Sequence, residues 1–306
     1  MNRMIEVARN SVQTWDIDQM GHMNVQFYVD RAADGLAALS THLGVGRAYV
    51  QRTGQQLVAQ DMHIRFLRER HVGSPFYLRA GIVDVGADKF TVYQEMLDSV
   101  TGVVAAAYSI ELEMRDLHTH AACSLPAAVQ ARASELLVSQ PEHGRAKGLT
   151  LAAPRPLLTL EQAEAMGMVP TFQSQIRPEQ CDRWQRLTLR HFMGIMSNPV
   201  PNMLAQTSGD DRSVMPEVGG ASLEFRFVFH RYPHTDDVVS VRSGLIHVGE
   251  KTYIWCHWLF DLETGQALAS AETVGISLDL QARKAIATPA VMRRHLQSLL
   301  VDGLRA

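Results

Sequence analysis

The chain repeats itself. When the sequence is slid along its own length, Asp98-Ser-Val-Thr101-Gly102 falls on Asp261-Leu-Glu-Thr264-Gly265, and Gly81, Val85 and Gly86 fall on Gly244, Val248 and Gly249. The shift is constant, since 261 − 98 = 163 and 244 − 81 = 163. Pro126-Ala127 and Leu136-Leu137-Val138 meet Pro289-Ala290 and Leu299-Leu300-Val301 at the same shift. Agreement at one fixed offset is the mark of a duplicated fold unit. The 306 residues therefore read as two copies of one domain, each of ordinary size. Upstream the copies drift. Gly21 pairs best with Gly194, a shift of 173, which predicts about ten fewer residues between that point and the strands of the second copy.

Within the first copy, Met62, Ile64 and Phe66 alternate with polar neighbours, as do Phe90, Val92, Gln94 and Met96, and then Tyr108, Ile110, Leu112 and Met114. Period-two alternation of this kind marks half-buried antiparallel strands. Asp98–Gly102 and Asp261–Gly265 have turn composition between such runs and read as hairpins. The second copy repeats the pattern over Leu223–Phe229, Val238–Val248, Thr252–Phe260 and Ala267–Leu278. Short helices are expected over Ala127–Val138 and Ala290–Leu304, and Pro154, Pro156 and Pro170 mark an irregular crossover. These boundaries give an N-terminal domain at 1–138, a linker at 139–176 and a C-terminal domain at 177–306. Each is an α+β layer of one helix on about five antiparallel strands.

Before the first strands lies a segment with chemical content. A strand-like stretch, Ile5–Gln13, leads into Asp18-Gln-Met-Gly21-His22-Met23-Asn24, and from Val25 the apolar residues Val25, Val29, Ala32, Leu36, Leu39 and Leu43 recur at helical spacing. Asn24 suits an N-cap, and Gly44 suits a left-handed stop after a helix ending near His42. A carboxylate such as Asp18, with an ordinary pKa of about 3.9, can attack a carbonyl or activate water. Gly21 lets the backbone pass close to a ligand. Amides around Met23, Asn24 and Val25 are then expected to be free at the positive pole of the helix, where a developing oxyanion would sit. His22 reads equally well as an acid–base group and as a residue packed against the helix start.

Thr14-Trp-Asp-Ile-Asp18-Gln-Met-Gly21-His22-Met23-Asn24, followed by Tyr28, resembles the signature of hotdog-fold thioesterases of the 4-hydroxybenzoyl-CoA thioesterase type. The resemblance implies two tandem hotdog domains. It also implies that Asp18 is the catalytic carboxylate, that the amide at His22 after Gly21 polarises a thioester carbonyl, and that Asn24 and Tyr28 shape the site and the helix start. Hotdog domains pair, with sites that combine a helix start from one domain and strand residues from the other. If the pair forms within one chain, His247, Lys251 and Thr252 are candidates from the second copy; their other reading is a solvent-facing turn. The resemblance further implies an acyl-CoA small-molecule substrate, no cofactor beyond the CoA carried by that substrate, and homo-oligomers of such double chains. Trp15, Phe27 and Tyr28 would admit an aryl group, although aromatics at such positions are more often core.

The second copy reads as degenerate. Aligned on Gly194, it places His191 where the first has Asp18 and Ser197 where the first has Asn24, with Pro199 and Pro201 where the long helix should begin and a helix feasible from about Pro201. His191 is then a second base or, on the stronger reading, the relic of a lost site, so a single working site per chain is expected.

Composition excludes other classes. A formal charge of −3 without a basic stripe and interleaved aromatics argues against nucleic acid. Arg65, Arg68, Arg70 and Arg79 read as solvated edge residues. No apolar run approaches the ~20 residues of a membrane span, and Met1–Val12 lacks the apolar core of a signal peptide, so a cytoplasmic protein is expected. Cys123, Cys181 and Cys256 lie far apart and read as free thiols. His230, His234 and His257 lack ligand spacing, so no metal is expected.

These observations point to an acyl-CoA thioesterase with Asp18, His22 and Asn24 as catalytic residues and Gly21, Met23, Tyr28, His247, Lys251 and Thr252 around the substrate. The alternatives are a hotdog enoyl or hydroxyacyl thioester hydratase-dehydratase, pairing Asp18 with a histidine, and a non-catalytic acyl-CoA binder.

Overall fold

The computed structural model describes residues 4–153, 156–207 and 218–306; Pro154, expected in the crossover, lies outside them. The chain divides into two compact units, Met1–Arg145 and Ala146–Ala306.

In the first unit the order is β1 (Ile5–Ser11), α1 (Val25–His42), α2 (Arg47–Thr53), β2 (Gln55–Phe66), β3 (Pro75–Val85), β4 (Lys89–Asp98), β5 (Val104–Asp116) and α3 (Ala127–Glu135). The strands pair antiparallel in the order β1-β3-β4-β5-β2. The start of α1 is fixed by Asn24, whose side chain accepts from the Gln26 N–H, and its end by Gly44 at φ +84°. Its apolar stripe, Val29, Ala32, Leu36 and Leu39, is buried against the sheet, where each such side chain contributes roughly 1.5–3 kcal/mol. Gly35 faces the fully buried Gln94 of β4 and Val7 of β1, so the helix approaches the sheet closely there.

The second unit contains α4 (Leu160–Ala165), β6 (Val169–Gln175), α5 (Leu189–Ser197), α6 (Val200–Thr207), β7 (Val218–Phe229), β8 (Val238–Val248), β9 (Thr252–Asp261), β10 (Ala267–Asp279), β11 (Lys284–Ile286) and α7 (Ala290–Ser298). Its sheet runs β7-β10-β9-β8-β6, all antiparallel, with β11 added on β10. The segment expected as linker holds structure of its own: residues up to 145 belong with the first unit, and β6 pairs with β8 at the edge of the second sheet. β6 stands to this unit as β1 stands to the first.

Each unit is a hotdog layer, a helix laid on an antiparallel sheet. One difference from expectation is the second unit's helix, which is broken in two at Asn198-Pro199, because proline cannot continue the hydrogen-bond ladder of α5. It restarts as α6 with Pro201 in the first turn, where proline is tolerated.

The repeated Gly81 and Gly244 and the Leu-Leu-Val triplets have one explanation. In the first unit the Ile82 N–H donates to the Leu136 carbonyl at 2.9 Å and the Val138 N–H donates to the Ile82 carbonyl at 2.8 Å. A Cβ on Gly81 would stand 2.7 Å from Val138 Cγ2. In the second unit the Val301 N–H donates to the Leu245 carbonyl at 2.8 Å, and a Cβ on Gly244 would stand 2.5 Å from Leu304 Cδ2. The tail after each terminal helix thus docks on a strand residue that has no side chain. The paired turns also recur as hairpins: Asp98 accepts from the Val100 and Thr101 N–H groups, and Asp261 from those of Glu263 and Thr264.

The arginines expected at solvated edges are mostly not there. Arg70 is buried, donating to Asp98 at 2.6 Å and to the Pro75 carbonyl at 2.9 Å; Arg79 pairs with the fully buried Glu95 at 2.7 Å; Arg65 donates to the His143 carbonyl at 2.8 Å. Only Arg68 is exposed. The buried Arg70 and the half-buried Arg65 and Arg79 satisfy acceptors that burial would leave unpaired.

Candidate active site

Asp18–His22 forms a tight turn closed by an antiparallel bridge between Ile17 and Met23. The Asp18 N–H donates to the His22 carbonyl and the Gly21 N–H to the Asp18 carbonyl, both at 3.0 Å. Gly21 takes φ +80°, and nothing lies within 4 Å of where its Cβ would be, so the glycine is favoured by backbone conformation and not by space. The Asp18 carboxylate accepts from the Met20 N–H at 2.8 Å and lies 3.4 Å from His22 Nδ1, off the line of a good hydrogen bond, so the coupling between them is mainly electrostatic. Both side chains are about one-sixth exposed, at 17% and 16%. Burial alone would raise the Asp18 carboxyl; His22 and the N–H groups of Met20 and His22 outweigh it and hold the group below its ordinary value. His22 is raised above its ordinary value by Asp18 first, against burial, with Glu69 adding to the effect.

The loop is seated on the segment that follows β2, one residue after another. The Arg68 carbonyl accepts from the Tyr28 hydroxyl at 3.3 Å, Glu69 Oε1 stands 3.7 Å from His22 Nε2, the Arg70 carbonyl accepts from the Met23 N–H at 2.8 Å, and His71 Nδ1 donates to the Gly21 carbonyl at 3.2 Å. Tyr28 is buried, its ring edge-on to Phe66 at 5.3 Å, and burial pushes its phenol well above the ordinary value, so it stays a donor. Asp16, fully buried, accepts from the Gln13 N–H at 2.9 Å and lies 3.4 Å from Arg31.

This geometry corrects one expectation. The Met23 and Asn24 amides are not free: the first donates to Arg70 and the second to the Asp16 carbonyl at 2.8 Å. Asn24 remains as the cap, and the Val25 N–H is the first amide of α1, with no acceptor among the described residues.

A second correction concerns the other copy. His191 does not replace the aspartate; it is the third residue of α5, with Nδ1 2.8 Å from the Thr188 hydroxyl, and Ser197 ends that helix. The counterpart of Asp18 is Asp182, for 182 − 18 = 164, one residue from the downstream offset, and no ten-residue loss occurs. The backbone frame of the first loop recurs there. Cys181 bridges Leu187, Trp184 N–H donates to the Asp182 carboxylate at 2.8 Å, Gln185 takes φ +63° in place of Gly21, Leu187 N–H donates to the Pro233 carbonyl, and Thr188 precedes the helix. Where the first loop has His22, this one has Arg186. It is buried, its Nη2 and Nε donate to Asp182 at 2.7 and 3.1 Å, and its guanidinium lies over the rings of Trp184 and Tyr232. The carboxylate is kept, but a permanent cation covers it.

Asp18, Gly21, His22, Met23, Asn24 and Tyr28 are thus brought together in the first unit. In the second, His247 is exposed near the end of β8, Lys251 is exposed in the turn that follows, and Thr252 opens β9. Phe27 and Tyr28 are core, whereas Trp15 is exposed. Among the described residues no group of three or more His, Cys, Asp or Glu could hold a metal ion; His230 and His257 instead lie within hydrogen-bond distance of Ser270 and Ser243, and burial pushes both imidazoles down to about 4. All three cysteines are free thiols. No described helix is long and apolar enough to cross a membrane.

Comparison with known proteins supplies the family. None of the curated proteins matches the chain significantly. Among solved structures, the putative oleoyl thioesterase of Lactobacillus plantarum matches with a TM-score of 0.68 at 11% identity, covering 90% of this chain and 97% of that one. An acyl-ACP thioesterase of Bacteroides thetaiotaomicron gives 0.67 at 10%, and the 12:0-ACP thioesterase of Umbellularia californica 0.66 at 10%, each covering 90% of this chain and 98% of the other. At such identity the likeness is one of fold. Sequence patterns of the thioesterase-like superfamily match twice, over residues 12–133 and 176–296. The two matches begin 176 − 12 = 164 residues apart, the spacing of Asp18 and Asp182. With both halves matched, the chain belongs to the thioesterase-like superfamily.

Proposed function

We propose that the protein is an acyl-CoA thioesterase of the 4-hydroxybenzoyl-CoA type, hydrolysing its substrate to free acid and CoA at Asp18. The observation that carries this reading is an ionised, partly open carboxylate on a fixed turn at the start of an 18-residue helix. Water attacks the thioester carbonyl as Asp18 takes its proton. The oxyanion is held at the positive end of α1, with the Val25 N–H as donor. The C–S bond then breaks, and its electron pair leaves on sulfur; a thiolate is a weak base, so no strong acid is needed, and the proton on Asp18 returns to solvent or to the thiolate. His22 keeps Asp18 ionised. No cofactor takes part beyond the CoA of the substrate.

The test is thiol release from a panel of acyl-CoAs of varied chain length and aryl character, with acyl carrier protein conjugates as a second arm. No turnover on any of them, or full activity in Asp18→Ala, sinks the proposal. Loss of enoyl absorbance without thiol release would instead favour a hydratase.

The pH dependence has a defined sign. Asp18 must be ionised and its carboxyl is held low, so the acid limb of kcat/KM should lie below the ordinary carboxylate range of about 4. His22 is held high and keeps its proton past the ordinary histidine value of about 6.5, which places the alkaline limb above that value. An acid limb at or above the ordinary carboxylate value contradicts the assignment of Asp18.

A further inference from the structure

The segment after β2 brings a second carboxylate to the site. We propose that Glu69 is a positioning residue of this reaction, bracketing His22 from the side opposite Asp18 so that the imidazole is held in place and charged beside the reacting carboxylate. The inference rests on the thioesterase reading for its kinetic arm only.

Three observations carry it. First, the ring is flanked at both nitrogens: Nδ1 is 3.4 Å from Asp18 Oδ1 and Nε2 is 3.7 Å from Glu69 Oε1. An imidazole flanked by two carboxylates is stabilised in the doubly protonated form, because only then does it carry a positive charge that both attract. Second, the other charged and titratable groups around the loop are committed elsewhere. Arg70 is bound to Asp98 and the Pro75 carbonyl, His71 reaches the Gly21 carbonyl, and the Tyr28 hydroxyl donates to Arg68. Third, the two copies of the fold differ at these positions together. The carbonyls of Arg70 and Pro233 accept equivalent bonds from Met23 and Leu187, so Glu69 corresponds to Tyr232 as His22 corresponds to Arg186. Arginine carries its charge without help and lies over the Tyr232 ring; histidine stays charged only with the help of neighbouring anions, and Glu69 adds to Asp18 in that role. The pair changes as a unit, as expected if residue 69 serves residue 22.

The decisive experiment follows the His22 ring signal by NMR through a pH titration of histidine-labelled protein, the signal being identified by its loss in His22→Gln. In Glu69→Gln the midpoint should move to lower pH, whereas Glu69→Asp should stay near the wild type. The alkaline limb of kcat/KM should follow the same order, with a loss of about tenfold on that limb in Glu69→Gln. An unmoved midpoint in folded Glu69→Gln overturns the proposal, as does an equal shift in Glu69→Asp. If wild-type protein releases no thiol, the thioesterase reading falls while the titration still decides the role of Glu69.

Discussion

Asp18→Asn is expected to lower kcat for thiol release by roughly 10²–10⁴-fold, the range for removing a positioned general base, with little change in melting temperature. Asparagine keeps the acceptor for the Met20 N–H but cannot take a proton from water. The same substitution in the other copy should do the reverse. Asp182→Asn is expected to leave kcat within about twofold and to cost roughly 1–3 kcal/mol of stability, because the buried Arg186 loses the acceptor of two N–H groups. The two variants, compared by steady-state kinetics and thermal unfolding, separate a working carboxylate from a structural one in the same loop. If Asp182→Asn costs activity as Asp18→Asn does, the view of Arg186 as a covering cation is wrong.

Gly244→Ala is expected to destabilise the protein by about 1–3 kcal/mol, the usual cost of forcing a methyl into a filled site. The added carbon would stand 2.5 Å from Leu304 Cδ2 and 3.1 Å from Val301 Cγ2. Leu304 is fully buried, so it cannot swing aside without opening the core around Trp258 and Cys256. In the first unit, Gly81→Ala presses on Val138, a β-branched residue at 2.7 and 3.0 Å, but one less deeply buried; its cost should be the smaller of the two. Urea unfolding of each single variant measures both, and a change below about 0.5 kcal/mol at position 244 would mean that the terminal tail yields easily.

How far the sequence could be read depended on whether the signal was local. Helix α1 was legible from end to end, because its cap, apolar stripe and stop glycine all lie within the segment they specify. The hairpins at Asp98 and Asp261 were legible for the same reason. Asp182 was not legible, because glycine is the residue that marks such a turn and the second turn is made by Gln185 at positive φ. The landmark moved to Gly194, deep in α5, and carried His191 with it. A signal was present nonetheless, in Thr188 preceding the apolar run and in an offset of 164 that continued the downstream one. Glu69, Arg70 and His71 were out of reach for another reason: each meets the loop from some fifty residues away, and no spacing rule links them to Asp18.

The anchoring of that loop has a consequence for how a ligand gains access. Four successive residues, Arg68 to His71, hold it or the helix behind it, so it cannot lift as a flap without releasing several bonds at once. The turn is a fixed socket. Recognition must then come from the shape already present when the acyl group arrives, and the energy that a closing lid would draw from binding remains available to hold the thioester against the carboxylate.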